Sequence, residues 1–346
     1  ANALLEMAFF FIYTGDWKTA AKETATAARW LGKPDMAAQA ERVGAGSALR
    51  ELRRLQEALA PARLKELSNR YFAELVDIKG GTFIPGCVKL DDDLCQEYNK
   101  DGLFRATLSD YQLARTETTV LQYNLYAVAM GRNIAQRITA DTLEEYNLTW
   151  GWIYDHPVVY ISWYDAVEYA NWASTQQGFT PVYTILKTVS DTSNQNSDDD
   201  FRWTVAVNDK ANGYRLPTEA EWEFAARGGI RQDTFQYAGS DDLDEVVAWR
   251  GSDSGSRTQP VGGKKPNSLQ LYDLSGNVSE WCWDWYGDYP KKPETNYRGL
   301  PSEARRALRG GSWVSPGGGY FRLAIRDGSS PDNRYNDFDG FRVARH

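Results

Sequence analysis

A chain of 346 residues, 42% hydrophobic and 25% charged, has room for one large domain and a smaller one, with enough apolar side chains for a sizeable core. Its formal net charge of −8 excludes nucleic acid or an anionic membrane surface as the main partner, and no apolar run approaches the ~18 residues of a membrane span. Three cysteines make no disulfide framework, and two histidines cannot build a three-histidine metal site. The first residue is Ala1, so a mature or trimmed product is expected.

The first 73 residues read as a helical region. Trp17 to Leu31 is alanine-rich with helical apolar spacing, and Gly32-Lys-Pro34 stops it. Met36 to Leu59 continues the pattern, and Pro61 starts a further helix through Leu64, Leu67 and Tyr71. Phe9-Phe-Phe-Ile-Tyr followed by Gly15-Asp-Trp has the look of a helical-hairpin turn, in a single copy.

Residues 74–346 change character. Glu74 to Gly86 reads as strand, turn, strand, and Cys87 and Cys95 lie close enough in sequence for pairing to stay open. Thr116-Glu-Thr-Thr begins a helix, and Pro157 to Trp163 is a strand running into a helix at Asp165. Thr180–Leu186 and Trp203–Val207 read as two arms of a hairpin whose acidic tip, Ser190 to Asp200, is expected to be mobile. In Leu216-Pro-Thr-Glu-Ala-Glu-Trp-Glu, Pro217 and Thr218 start a helix, acidic residues fill its first turns, and Gly228 ends it. Helices and short strands joined by long loops make an α+β domain. The 13 tryptophans and 20 tyrosines suit a core filled by large rings between loops.

The last stretch mixes two kinds of position. Gly310, Gly311, Trp313, Arg322, Arg326, Pro331, Arg334, Gly340, Phe341 and Arg342 read as a frame, with arginine forks placed to bridge carbonyls and carboxylates. Between them run segments with no helical or strand period, which read as loops held up by that frame. After Glu303 there is no Glu, Lys, Gln or Met.

The strings Gly80-Gly-Thr-Phe, Tyr214-Arg-Leu-Pro-Thr-Glu-Ala-Glu-Trp-Glu, Gly276-Asn-Val-Ser-Glu-Trp, Arg309-Gly-Gly-Ser-Trp and Gly340-Phe-Arg resemble, in this order, the formylglycine-generating, sulfatase-modifying family. The resemblance implies that family's variant of the C-type lectin fold. The catalytic members carry a cysteine pair after the Gly-Gly-Ser motif. Here the first position matches Ser315 and the second Gly318 or Tyr320, so the soft thiolates copper needs are absent. No catalytic residue is therefore assigned, and an oxidase of that type is the disfavoured alternative. An inactive partner subunit is a third reading. Cys282 reads as a small buried hydrophobe.

The final segment also resembles the variable region of diversity-generating-retroelement proteins, which use this fold. Their mutagenesis yields codons that cannot encode Glu, Lys, Gln, Met or Trp, and none of the five occurs after Trp313. The resemblance implies a variable region over residues 313–340 and a non-catalytic protein displayed outside the cytoplasm, at the bacterial surface. Its ligand would be a protein or glycan on another surface. The ligand-binding residues it implies are Val314, Ser315, Gly317, Gly318, Tyr320, Phe321, Ile325, Asp327, Gly328, Ser329, Ser330, Tyr335, Asn336, Asp337, Phe338 and Asp339. Loops at Val314–Tyr320, Asp327–Ser330 and Tyr335–Asp339 would converge on one face, with Tyr320, Tyr335 and Phe338 as the anchors. No cofactor is expected beyond a structural calcium. Asn277, Val278 and Glu280 match calcium-binding positions of the enzymes. The other reading is that Asn277 caps a turn and Glu280 pairs with an arginine of the last stretch.

Overall fold

The computed structural model describes residues 72–86, 104–130, 155–248 and 257–346, together with 34–44 and helical positions between 21 and 28. The chain divides into two compact units, one of residues 1–71 and 124–151, the other of residues 72–123 and 152–346. In the first, helix α1 (Pro34–Gly44) places Ala37 and Ala40 against Ala21, Ala25 and Ala28, an all-alanine seam with Met36 at its edge. The expected helical turn at Phe9–Trp17, the helix beyond Gly44, the helix after Pro61 and the Cys87–Cys95 segment lie outside the described residues.

The second unit is built from short strands. Strands β1 (Leu75–Ile78), β4 (Tyr111–Ala114), β7 (Tyr214–Arg215) and β13 (Ala344–Arg345) form one sheet in the order β1-β4-β13-β7. Strands β2 (Thr82–Phe83), β3 (Ala106–Thr107) and β9 (Glu294–Thr295) form a second, smaller one. The sheet that carries the last stretch has the order β11-β10-β8-β12, from β8 (Ser279–Trp285), β10 (Arg306–Arg309), β11 (Arg326–Ser329) and β12 (Asp339–Gly340). Strands β5 (Tyr183–Ser190) and β6 (Trp203–Val207) make the expected hairpin, with a register shift between Leu186 and Ser190.

The helices start where local chemistry dictates. In α2 (Val120–Ala129) the expected Thr116–Glu117 start is replaced by a reciprocal Thr119–Gln122 cap, with bonds of 2.9 and 3.3 Å. Glu117 itself is buried. Helices α3 (Trp163–Gln176) and α4 (Glu219–Ala226) carry full capping boxes, Ser162 with Asp165 and Thr218 with Glu221. A further short helix, α5, spans Leu243–Val246.

The acidic residues expected in the first turns of α4 are there, and they face inward. Glu219, Glu221 and Glu223 are all buried, because each meets arginine. The core around α4 is aromatic: Trp222 and Phe224 are fully enclosed, beside Leu274, Cys282 and Ala307. Strand β8 lies across it, buried on both faces. Indole donors lock it to its neighbours. Trp281 Nε1 donates to Ile161 O at 2.7 Å, and Trp163 Nε1 donates to Cys282 O at 3.0 Å.

The hairpin tip is ordered, contrary to expectation. Asn194 and Asp199 are buried. The Asp199 carboxylate accepts from Tyr164 Oη at 2.8 Å, Asn194 Nδ2 at 2.6 Å, and the backbone of Phe201 and Arg202. An acidic tip folds when its polar groups satisfy one another.

Candidate ligand-binding site

One row across the sheet organises the site. Arg326, Arg309, Glu280 and Gly340 are successive cross-strand partners on β11, β10, β8 and β12. Arg309 and Arg326 stand side by side, and their like charges would repel without carboxylates between them. Helix α4 supplies these. Arg326 meets Glu219 at two points, Nε–Oε1 2.6 Å and Nη2–Oε2 2.7 Å. Arg309 reaches Glu219 Oε1 at 3.3 Å and Glu223 Oε2 at 2.8 Å. Glu223 Oε1 in turn accepts from Arg227. Burial alone would raise the Glu219 carboxyl, but Arg326 and Arg309 outweigh it and hold it below its usual range. Arg326 also donates to Gly287 O at 2.8 Å and lies 3.8 Å over the Tyr289 ring.

Arg342 closes the frame. Its Nε and Nη2 grip Glu280 at 2.7 and 2.6 Å, and its other donors reach the carbonyls of Ala114 and Tyr272. Trp222 Nε1 takes Glu280 Oε2 as well, at 2.8 Å. Asn277, in the left-handed region at φ 61, accepts from Gln259 N at 2.9 Å, donates to Gln259 O and offers its own carbonyl to Trp313 N. Val278 is fully buried. These three residues do not fit a calcium ion: Glu280 Oε1 accepts from the Arg342 guanidinium, Oε2 from that guanidinium and the Trp222 indole, and the Asn277 side-chain oxygen from Gln259 N.

On this frame sit the expected binding residues. Tyr320, Asp327 and Tyr335 are exposed, with Tyr320 at 48% and Tyr335 at 84%, far above what an ordinary aromatic keeps. Val314, Ser315, Gly317, Gly318, Gly328, Ser329, Ser330, Asn336, Asp337 and Phe338 are half-buried. Three of the expected residues are interior instead. Phe321 packs with Tyr237, Val246 and Val247 under a short 3₁₀ turn (Gly318–Phe321), Ile325 is covered, and Asp339 sits in β12. Phe321 is turned inward by the 3₁₀ turn, Ile325 lies at the covered entry to β11, and Asp339 is drawn inside by the parallel pairing of β12 with β8.

The three segments are not three equivalent loops. The first and third meet directly, since Trp313 Nε1 donates to Asp337 O at 2.9 Å. The second, Asp327 to Ser329, is an edge strand, paired only with β10. Its Asp327 still shares a field with the third segment. Burial pushes the Asp339 carboxyl up to about 7, eased by a 2.6 Å bond from Asn336 Nδ2 and reinforced by Asp327 and Asp337. Burial also raises Asp337.

Sequence reading missed two groups of residues. Arg309 stands in the sequence only as the first residue of the Arg309-Gly-Gly-Ser-Trp string, yet it holds two of the three α4 glutamates, Glu219 and Glu223. The hairpin tip reads in sequence only as an acidic, mobile segment, yet Asn196 Nδ2 donates to Ser330 Oγ at 2.7 Å across 134 positions. Arg334 is held from the same side, 4.5 Å over the Phe201 ring and 3.5 Å from Asp165. Away from this face, His156 is buried against Thr258 at 2.9 Å, and His346 lies 2.8 Å from Arg215. Cys282 is wholly buried, and burial pushes its thiol well up.

Three solved structures share this fold. Treponema denticola variable protein 1 is 30% identical with a TM-score of 0.60, covering 78% of this chain and 94% of that one. CarF is 27% identical with a TM-score of 0.53, covering 79% and 98%. PvdO from Pseudomonas aeruginosa, at 22% identity and a TM-score of 0.58, supports the fold alone. Among relatives, the chaperone protein LppX of Paenibacillus barcinonensis is 43% identical over 178 residues, 46% of this chain. The formylglycine-generating enzyme of Streptomyces coelicolor is 32% identical over 207 residues, 55% of this chain. The matches span 60% and 52% of those two relatives' own lengths. Residues 60–346 match the sulfatase-modifying factor enzyme 1-like domain. The chain belongs to this family, in the formylglycine-generating-enzyme variant of the C-type lectin fold.

Proposed function

We propose that this protein is a non-catalytic, ligand-binding variable protein whose last stretch, residues 313–340, is its receptor surface. The observation that carries the reading is the contrast within that stretch. Arg326 is clamped by Glu219 and Trp313 is held at both ends, while Tyr320 and Tyr335 stand out into solvent. A surface of this kind tolerates new side chains because the frame does not depend on them. The similarity to the Treponema variable protein and the residue types missing after Trp313 support the same reading, including diversification by a retroelement and display outside the cytoplasm. Among the described residues no helix is long and apolar enough to cross a membrane. The family's oxidase chemistry finds no thiol here: Ser315 and Gly318 or Tyr320 occupy the paired positions, and Cys282 is sealed in the core.

The test is selection. Panning a random phage-displayed peptide library on the protein should enrich binders, and Tyr320→Ala with Tyr335→Ala should abolish their capture without lowering the melting temperature. Enriched peptides that bind the double variant equally well would refute the receptor surface. Incubation with copper and a Cys-Thr-Pro-Ser-Arg peptide should yield no aldehyde, and turnover would revive the oxidase.

A further inference from the structure

The tip of the β5–β6 hairpin lies outside the variable stretch but against it. Besides the bond from Asn196 to Ser330, Asp200 N donates to Asp332 Oδ2 at 2.9 Å. The turn so held is closed by Asn333 N on Ser330 O and by Trp163 N on Pro331 O at 3.0 Å each, and it leads into Tyr335. The tip and the variable turn therefore form one continuous, ordered surface. Order matters because a ligand meeting preset groups gives up less conformational freedom than one that must arrange them.

The surface has a sign. Asp198 and Asp200 are exposed at the tip and form no ion pair with any described residue, and Asp327 is exposed on β11. Of the cations beside the tip, Arg202 Nη2 donates to Asn194 O at 2.8 Å, and Arg334 is held by Phe201 and Asp165. The exposed groups that this continuous surface contributes are the Asp198 and Asp200 carboxylates of the tip and the Tyr335 ring that follows the held turn, chemistry that suits ammonium or guanidinium groups.

Resting on the receptor reading above, we propose that the hairpin tip is a fixed wall of the ligand face, and that wall and variable loops together take a lysine- or arginine-rich polypeptide segment. The loops set selectivity, and Asp198 and Asp200 add an attraction that does not change when the loops do. Like any rim attraction, it acts mainly on the on-rate and weakens with salt.

The probe is a fluorescent octalysine peptide, titrated by anisotropy at low and at physiological ionic strength. The wild type should bind it, with affinity falling as salt rises. The double variant Asp198→Asn, Asp200→Asn should bind roughly five-fold or more weakly at low salt with a flatter salt dependence, and its melting temperature should not change, because both groups are exposed. Asp77→Asn, on β1 in another sheet, should leave binding unchanged. If Tyr335→Ala weakens octalysine binding and the hairpin double variant does not, the wall is refuted and the receptor surface stands. No octalysine binding by the wild type, or equal loss with Asp77→Asn, overturns the basic-partner assignment, while peptide panning decides the receptor surface separately.

Discussion

Arg326 and Glu219 meet in a two-point ion pair, 2.6 and 2.7 Å, across 107 positions of sequence. The next residue, Asp327, is exposed to solvent. Frame and proposed recognition surface therefore adjoin within a single peptide unit. Arg326→Ala should cost about 3–5 kcal/mol, because it leaves the buried Glu219 with only the longer 3.3 Å contact to Arg309 and beside Asp284, whose carboxyl burial already raises. Asp327→Ala should change stability by no more than about 0.5 kcal/mol. Denaturant melts of the two variants check the division, and equal losses would erase it.

Trp313 links the first and third segments of the proposed binding surface through its indole bond to Asp337 O. Trp313→Phe keeps most of the packing and removes the donor. It should cost about 1 kcal/mol, plus any penalty for leaving the Asp337 carbonyl unsatisfied. Amide exchange near residue 337 should accelerate more than exchange in β8. Uniform acceleration across the sheet would mean the ring acts through packing alone.

Gly311 sits at φ 69, and a side-chain carbon there would come within 2.7 Å of Tyr320 O. Gly311→Ala is therefore expected to destabilise by more than the ~1 kcal/mol of left-handed strain alone, since backbone cannot yield as a flexible side chain can. The same change at Gly317, with nothing nearby and extended backbone, should be close to neutral. Thermal melts of the pair decide whether the double-glycine motif is geometric.

Asp339 makes stability depend on pH in an unusual direction. Its folded pKa, about 7, lies above the unfolded value, so the folded state holds its proton more tightly. Its contribution is full at low pH, declines as pH rises from about 4, and is lost above about 7. Asp339→Asn should remove that slope and stabilise the protein at pH 8 by up to a few kcal/mol. Urea melts at pH 5 and pH 8 test this, and an unchanged slope in the variant would place the titration elsewhere, with the buried Glu117, also raised by burial, as the next residue to replace.

Much of this was legible in the sequence because it is local. Ser162 with Asp165 and Thr218 with Glu221 lie within one helical turn, so their caps need nothing from the rest of the chain. The arms of the β5–β6 hairpin are near neighbours with β-prone patterns. The frame of the last stretch announced itself through residue type, since tryptophan, paired glycines and arginines at those positions have few other uses.

The tertiary structure decided what each of those residues does. An acidic helix start is ordinarily solvated, and only the arrival of Arg215, Arg309 and Arg326 from distant segments turned Glu219, Glu221 and Glu223 inward. Strand pairing, set by the whole sheet, put Asp339 inside and made Asp327–Ser329 an edge strand, while the 3₁₀ turn packed Phe321 against Tyr237, Val246 and Val247. The contact between Asn196 and Ser330 joins segments 134 residues apart. Local sequence fixes local geometry, because its energies are exchanged within a few residues. Burial and charge pairing depend on which distant segments the chain brings together, and no short window of sequence contains that information.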